Sequence, residues 1–253
     1  MKSFILKDKK YSIFPRLLII CLWILLSKLM DNEVLIPTIK STLTNLMNIV
    51  KDEYFFLTIK MTLLRSLTGF LISLSLAIIL GLLSNFSKFV FNFIMPILKF
   101  LKSVPTIAII ILALIWLNPN ILPIFIGFIT VFPILYEAVL NGILYVDSKI
   151  IDMAKVYKVS KSTLIKDIYI PSIFISLETI LTSTLGLNLK MVIAGEALAQ
   201  PKYSIGGSLQ LEKLYLNTSG IFAWIIIILL IMSLFEYILG VGKRFLKRIK
   251  QWK

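Results

Sequence analysis

The side chains able to do chemistry in this sequence are few, and most are charges set inside apolar runs: Arg65, Glu137, Glu178, Lys190 and Glu196. There is no histidine and a single cysteine, Cys21, which lies within an apolar run. That excludes His-based acid–base catalysis, His-ligated metal sites, Cys metal clusters and disulfides. No Gly-rich loop ending in Gly-Lys-Ser/Thr is present, so nothing here cradles a nucleotide phosphate. No Gly-x-Ser-x-Gly setting offers a hydrolase nucleophile. A Ser–Lys dyad of an intramembrane enzyme stays open on sequence alone. The chemistry these charges suggest is electrostatic. Glu and Lys at membrane depth need partners or water, because an isolated charge there costs several kcal/mol. Lys190 either faces a central axis, where it would suit an anionic cargo, or pairs with Glu137 or Glu178 of a neighbouring helix. Arg65 either snorkels to the outer interface or faces inward in a structural or gating role.

A second group of charges sits in a polar stretch, Asp147 to Pro171, which carries Lys149, Lys155, Lys158, Lys161 and Lys166. A basic loop between apolar spans is read as cytoplasmic. Its apolar residues recur at helical spacing, first Ile150, Ile151, Ala154 and Tyr157, then Leu164, Ile165 and Ile168. Ser160 lies between the groups, placed to cap the second. The expectation is two short amphipathic helices closed by Pro171, an ordered knob with something to dock on.

The elements that position these residues follow from composition. The chain has 253 residues, 58% of them hydrophobic, with a mean hydropathy of +0.93. That describes an all-α polytopic membrane protein rather than a soluble domain. The net charge of +14 does not indicate nucleic acid, because the charges cluster at the ends of apolar spans. Six spans are expected, over about 13–30, 56–83, 93–117, 121–145, 172–198 and 221–239. The first, with its basic start and no small-x-small cleavage site, is read as an uncleaved span. The third is interrupted by Pro96 and Pro105, with Lys99 and Lys102 between them. Residues 38–50 read as a helix lying on the outer membrane surface. The presumed cytoplasmic segments hold 17 Lys and Arg against four in the two charged outer segments. Both termini are therefore expected in the cytoplasm. No internal repeat or linker appears, so residues 1–253 are expected to form one domain.

The stretch from Asp152 to Pro171 resembles the coupling loop of ABC-importer permeases, which reads Glu-Ala-Ala, three residues, Gly, nine residues, Ile-x-Leu-Pro. Asp152, Met153 and Ala154 fill the first positions, Lys158 the Gly position, and Ile168, Ile170 and Pro171 the end, without a gap. Asp replaces Glu, Met replaces Ala, and Lys158 replaces the Gly that normally turns the chain, which suggests a turn of ordinary backbone angles. Thr62-Leu63-Leu64-Arg65 with Gly69-Phe70 resembles the family's Ser-Leu-x-Arg and Gly-Phe. Pro105-Thr106-Ile107-Ala108 resembles its Pro-x-x-Ala at a kinked pore-side helix. Ala194-Gly195-Glu196 and Ser204-Ile205-Gly206-Gly207 loosely resemble its Ala-Glu and Gly-x-Gly; the common Phe-Gly-x-Gly near residue 118 is missing.

Over about residues 55–240 the chain is similar to the nitrate/sulfonate/taurine branch. The resemblance implies the type I importer permease fold in the bacterial plasma membrane, forming half of a pathway. It implies no cofactor of its own, with ATP bound by partner ATPase subunits. The other partners implied are a second permease copy and an external substrate-binding protein. Asp152, Met153, Ala154, Tyr157, Lys158, Ile168 and Pro171 would serve the ATPase contact, although Asp152 could instead cap or pair locally. Arg65, Pro105, Glu137, Lys190 and Glu196 would line or gate the pathway. The implied cargo is a small solute, an anion such as sulfonate, taurine or nitrate, or a thiamine-precursor-like heterocycle. Two other transport readings compete. A membrane component of an energy-coupling-factor transporter would carry Ala-Arg-Gly motifs, which are absent. A passive channel would need no coupling loop.

Overall fold

Long apolar runs without water to hydrate their backbone must satisfy their own N–H and C=O groups, and helices do so within one segment. A computed structural model describes the backbone of residues 9–250, and side chains within 15–241; these residues form helices and no strand. In order they are α1 (Lys9–Met30), α2 (Ile39–Lys51), α3 (Phe55–Phe86), α4 (Lys88–Ser103), α5 (Thr106–Trp116) and α6 (Leu122–Leu144). There follow α7 (Ser148–Val156), α8 (Lys161–Leu164), a π-helical turn (Ile165–Tyr169), α9 (Ile170–Ala199), α10 (Ile205–Leu214) and α11 (Thr218–Lys250).

Among the described residues four helical stretches are long and apolar enough to cross a membrane: α3, α6, the α8–α9 run and Thr218–Ile238 of α11. The fifth, α4 with α5, is broken by 103°. In α1 the described apolar part, Leu17–Met30, is shorter. Six crossings are reached only by counting the broken pair and α1 as one each. The bend is sharper than the kink expected within this interrupted span. Pro96 lies inside α4 without ending it, and the break falls at Pro105. A proline disfavours α geometry in the residue before it, and Val104 is accordingly extended.

Internal contacts divide the chain into two units. The first holds residues 1–55 and 209–230. In it the Trp23 indole donates to the Pro37 carbonyl at 2.9 Å, and its ring lies 5.2 Å from that of Phe222. Thr38 caps α2 by accepting from the Ser41 N–H. The polar side of α2 is held by Asn45, which donates to Ser219 Oγ at 2.9 Å. Its apolar Leu43, Met47 and Val50 are exposed.

The second unit holds residues 56–208 and 231–253. Its centre is the antiparallel pair α6 and α9. Small residues let these backbones approach, as membrane helices commonly arrange. A Cβ on Gly142 would lie 2.7 Å from the Ile173 Cα, and one on Gly127 would meet Asn188 and Val192. Helix α3 packs beside α6 in the same direction. Gly69 faces the Ile124 carbonyl, Ser73 Oγ donates to the Phe128 carbonyl at 3.0 Å, and Tyr136 donates to Ser84 at 2.7 Å. Asn188, fully buried on α9, donates to the carbonyl and hydroxyl of Ser66 on α3 at 2.7 and 2.8 Å. The core between these helices is built on Leu135, Tyr136, Val139, Ile173 and Leu177.

Candidate functional site

Three arrangements in the second unit hold the sequence candidates. The first is the α7–α8 loop. Asp147 caps α7 by accepting from the Lys149 N–H at 2.9 Å, and Ser160 caps α8 by accepting from the Thr163 N–H at 3.1 Å. At the end of α7 the Val159 N–H reaches the Ala154 carbonyl at 2.9 Å and the Lys158 N–H reaches the Lys155 carbonyl at 3.0 Å. This is the Schellman pairing, which needs a left-handed residue just beyond the helix. Lys158 supplies it with φ 52°. The expectation of ordinary angles at Lys158 is thus corrected. The turn keeps the glycine-type geometry because two hydrogen bonds depend on it, and they offset a strain of about 1–2 kcal/mol.

The loop is anchored from beneath. Ala154 is buried, Ile151, Leu164 and Ile165 pack on the core of the unit, and Tyr169 sits within it against the Phe86 ring. Ala154 therefore seats the helix on its own chain. Asp152 pairs locally with Lys155 at 2.9 Å, one of the two alternatives open for it. Beside these charges three apolar side chains face outward: Met153, Val156 and Tyr157 are 56%, 78% and 76% exposed. Ile168 is half-buried and Pro171 exposed. Pro171 does not close a separate helix. Helix α8 continues through the π turn into α9. Pro171 has no N–H for the Asp167 carbonyl and its ring crowds that position, which widening of the preceding turn accommodates.

The second arrangement joins two candidates that sequence reasoning kept apart. Arg65, 4% exposed, and Glu196, fully buried, form a salt bridge at 2.9 Å. Thr62, one turn before Arg65, donates to the other Glu196 oxygen at 2.9 Å, and the Gly206 N–H donates to it at 3.2 Å. Arg65 also donates to the Tyr203 and Lys202 carbonyls at 3.1 and 3.2 Å and to Asn120 Oδ1 at 3.2 Å. The Ile205 N–H closes the network on Thr62 Oγ1 at 3.0 Å. The snorkelling reading of Arg65 is corrected. Five groups from three chain segments satisfy the guanidinium and its carboxylate, so both charges can be buried. The legible signal was depth, since Arg65 and Glu196 each lie near the same end of their spans. Nothing in the sequence pointed to Asn120 or to the Lys202 and Tyr203 carbonyls.

The third arrangement lies at the Pro105 elbow. Lys102, in the last turn of α4, pairs with Glu137 of α6; their side chains are 43% and 47% exposed. Lys102 also lines a cavity of about 200 Å³ whose wall includes Val104, Thr106, Ile109, Thr130 and Ile134. Pro105 itself is exposed beside it. Glu137 takes Lys102, which removes one of the alternatives open for Lys190, a pair with Glu137. Lys190 is exposed on α9 and makes no salt bridge among the described residues. Sequence reading singled out Lys102 only for being deep.

Residues 73–249 match the family model described as "Binding-protein-dependent transport system inner membrane component". The chain is 28% identical over 196 residues to a "Probable ABC transporter permease protein" of Brucella abortus (strain 2308), covering 76% of each chain. A counterpart in Brucella melitensis is also 28% identical, over 195 residues and 76% of each. A Bacillus subtilis (strain 168) relative, the "Putative aliphatic sulfonates transport permease protein", is 23% identical over 240 residues, 93% of this chain and 84% of that one. The matched span takes in the α7–α8 loop, the elbow and Glu196, and with it the chain belongs to the family of binding-protein-dependent transport system inner membrane components.

Proposed function

We propose that this permease chain couples to a separate ATPase subunit through the α7–α8 loop. With a second copy it forms a pathway for a small solute delivered by an external binding protein. The observation that carries the reading is the build of the loop. It is capped at both helices and seated on the core by Ile151, Ala154 and Tyr169, while Met153, Val156 and Tyr157 stand outward. Burying one such side chain in a partner's groove contributes roughly 1.5–3 kcal/mol. A rigid seat transmits displacement to α6 and α9, where a floppy loop would absorb it. In this reading the loop faces the cytoplasm of a bacterial inner membrane, ATP is bound by the partner and none by this chain, and α2 lies on the outer surface. The name of the Bacillus relative supports an aliphatic sulfonate as cargo.

The test is affinity purification of the chain from gently solubilised membranes, with partners identified by mass, for wild type and Tyr157→Asp. An ATPase should accompany the wild type and be reduced at least about tenfold by the charge placed in the apolar contact. The variant itself should still insert. Equal recovery with both chains, or no ATPase with either, would overturn the coupling role.

A further inference from the structure

Helix α4 has three faces, and only one of them is packed. At about 100° per residue, Lys88, Asn92, Lys99, Lys102 and Ser103 fall within an arc of about 100°, and all are exposed. Val90, Ile94, Leu98 and Leu101 form another side and pack into the core of the unit. Between them runs an apolar strip: Phe89, Phe93, Ile97 and Phe100 are all exposed, and the Phe89 and Phe93 rings stack on each other. The helix carries no Asp or Glu, and neither Lys88 nor Lys99 has a salt-bridge partner among the described residues. Helices 103° apart cannot both run along the membrane normal. The uncharged α5 takes the depth, which leaves α4 lying across it, with lysines and phenylalanines side by side as an interfacial helix requires. The interface is the one beside the α7–α8 loop, because Phe86, two residues before α4, packs against Tyr169.

We propose that α4 is a binding site for anionic phospholipid of the cytoplasmic leaflet. Spacing sets the number of headgroups. Lys88 with Asn92, and Lys99 with Ser103, are each about one helical turn apart, so each pair can hold a phosphate between an ammonium group and a neutral donor. The two pairs lie about 16 Å apart along the axis at about 1.5 Å per residue, so each takes its own headgroup. Lys102 is engaged by Glu137 and stays out of this set. Phe89, Phe93 and Phe100 then lie against the acyl chains, and each lysine stem reaches across the boundary to its phosphate. A zwitterionic lipid brings a cation that the lysines repel, which selects the anionic one. Charge also argues against a second copy as the occupant. Two copies of this face would set lysine against lysine, with no acidic residue on α4 to meet them. The inference rests on the reading of the α7–α8 loop as cytoplasmic, and it ties the α4–α5 elbow to the charge of the lipid around it.

The experiment uses the full chain in neutral detergent without any ATPase, so it succeeds or fails independently of coupling. Dioctanoyl phosphatidylglycerol and dioctanoyl phosphatidylcholine are titrated onto it, and the bound lipids are counted by native mass spectrometry. Two phosphatidylglycerols should bind saturably and at least about tenfold more tightly than phosphatidylcholine. Lys88→Gln and Lys99→Gln should each weaken one of the two by about fivefold, while Lys88→Arg and Lys99→Arg keep both tight. Lys213→Gln, at an exposed lysine outside α4, should change nothing. With benzoylphenylalanine in place of Phe93, illumination in phosphatidylglycerol nanodiscs should cross-link the chain to lipid. Equal affinity for the two lipids would overturn the proposal, as would two tight phosphatidylglycerols in the Lys88→Gln, Lys99→Gln double variant. Competition by glycerol 3-phosphate as strong as that of the lipid would make this a site for soluble phosphate and overturn it. A cross-link to a second copy in place of lipid would overturn it as well.

Discussion

Replacing Arg65 by Met tests whether the buried ion pair holds the segment after α9 in place. Methionine keeps the length and apolar body of the side chain and removes the guanidinium. Four hydrogen bonds go with it: to Glu196, to the Tyr203 and Lys202 carbonyls, and to Asn120. Glu196 stays fully buried and keeps only Thr62 and the Gly206 N–H as donors. Breaking a buried pair from one side costs about 3–5 kcal/mol, because the remaining charge is uncompensated. Replacing both partners, Arg65→Met with Glu196→Met, removes that orphan and should recover most of the loss. The assay is amide hydrogen exchange in detergent over residues 200–206. The Ile205 and Gly206 N–H groups there donate into the network itself, to Thr62 and Glu196. At 1.4 kcal/mol per factor of ten, the single variant should speed their exchange by about a hundredfold or more, and the double variant by far less. Unchanged protection of both amides in Arg65→Met would refute the reasoning. So would a double variant as exposed as the single one, since the loss would then not come from an orphaned charge.

Two further predictions concern backbone geometry. Lys158→Gly should stabilise the α7–α8 turn by up to about 1 kcal/mol by relieving a left-handed residue, while Lys158→Val should weaken it by about 1–2 kcal/mol; slower and faster exchange of the Val159 amide, bonded to Ala154, reads the two effects. Gly142→Val would drive a side chain into the Ile173 backbone, 2.7 Å from the new Cβ, and should cost on the order of 3 kcal/mol. The measure is the yield of monodisperse protein, and wild-type yield would show that α6 and α9 can part freely.

Legibility of the fold tracked the range of the physics involved. The spans over α6 and α9 agree with the expected limits within two residues at each end, because apolar length alone specifies a membrane helix. The cap at Ser160 was readable because capping is settled within three residues. The elbow was half legible: Pro105 marked a kink, but a 103° break rather than a bend depends on what packs on either side. The loop was readable as two amphipathic pieces, yet Ile151 and Ala154 went inward while Ile150 and Tyr157 went outward. Periodicity assigns residues to a face of a helix and does not say which part of that face meets the rest of the chain.

The sequence by itself determined a helical membrane protein, its long spans, its basic loop and its family resemblance, since each rests on composition, local periodicity or ordered short motifs. Only the tertiary structure decided which charges meet. Arg65 with Glu196 and Lys102 with Glu137 are separated by 131 and 35 positions, and no local rule ranks those pairings above Lys190 with Glu137. The physical reason is that a charge at membrane depth requires a partner without specifying one. The choice is made by how α3, α4, α6 and α9 pack, and that packing depends on glycines and serines whose contacts lie far along the chain.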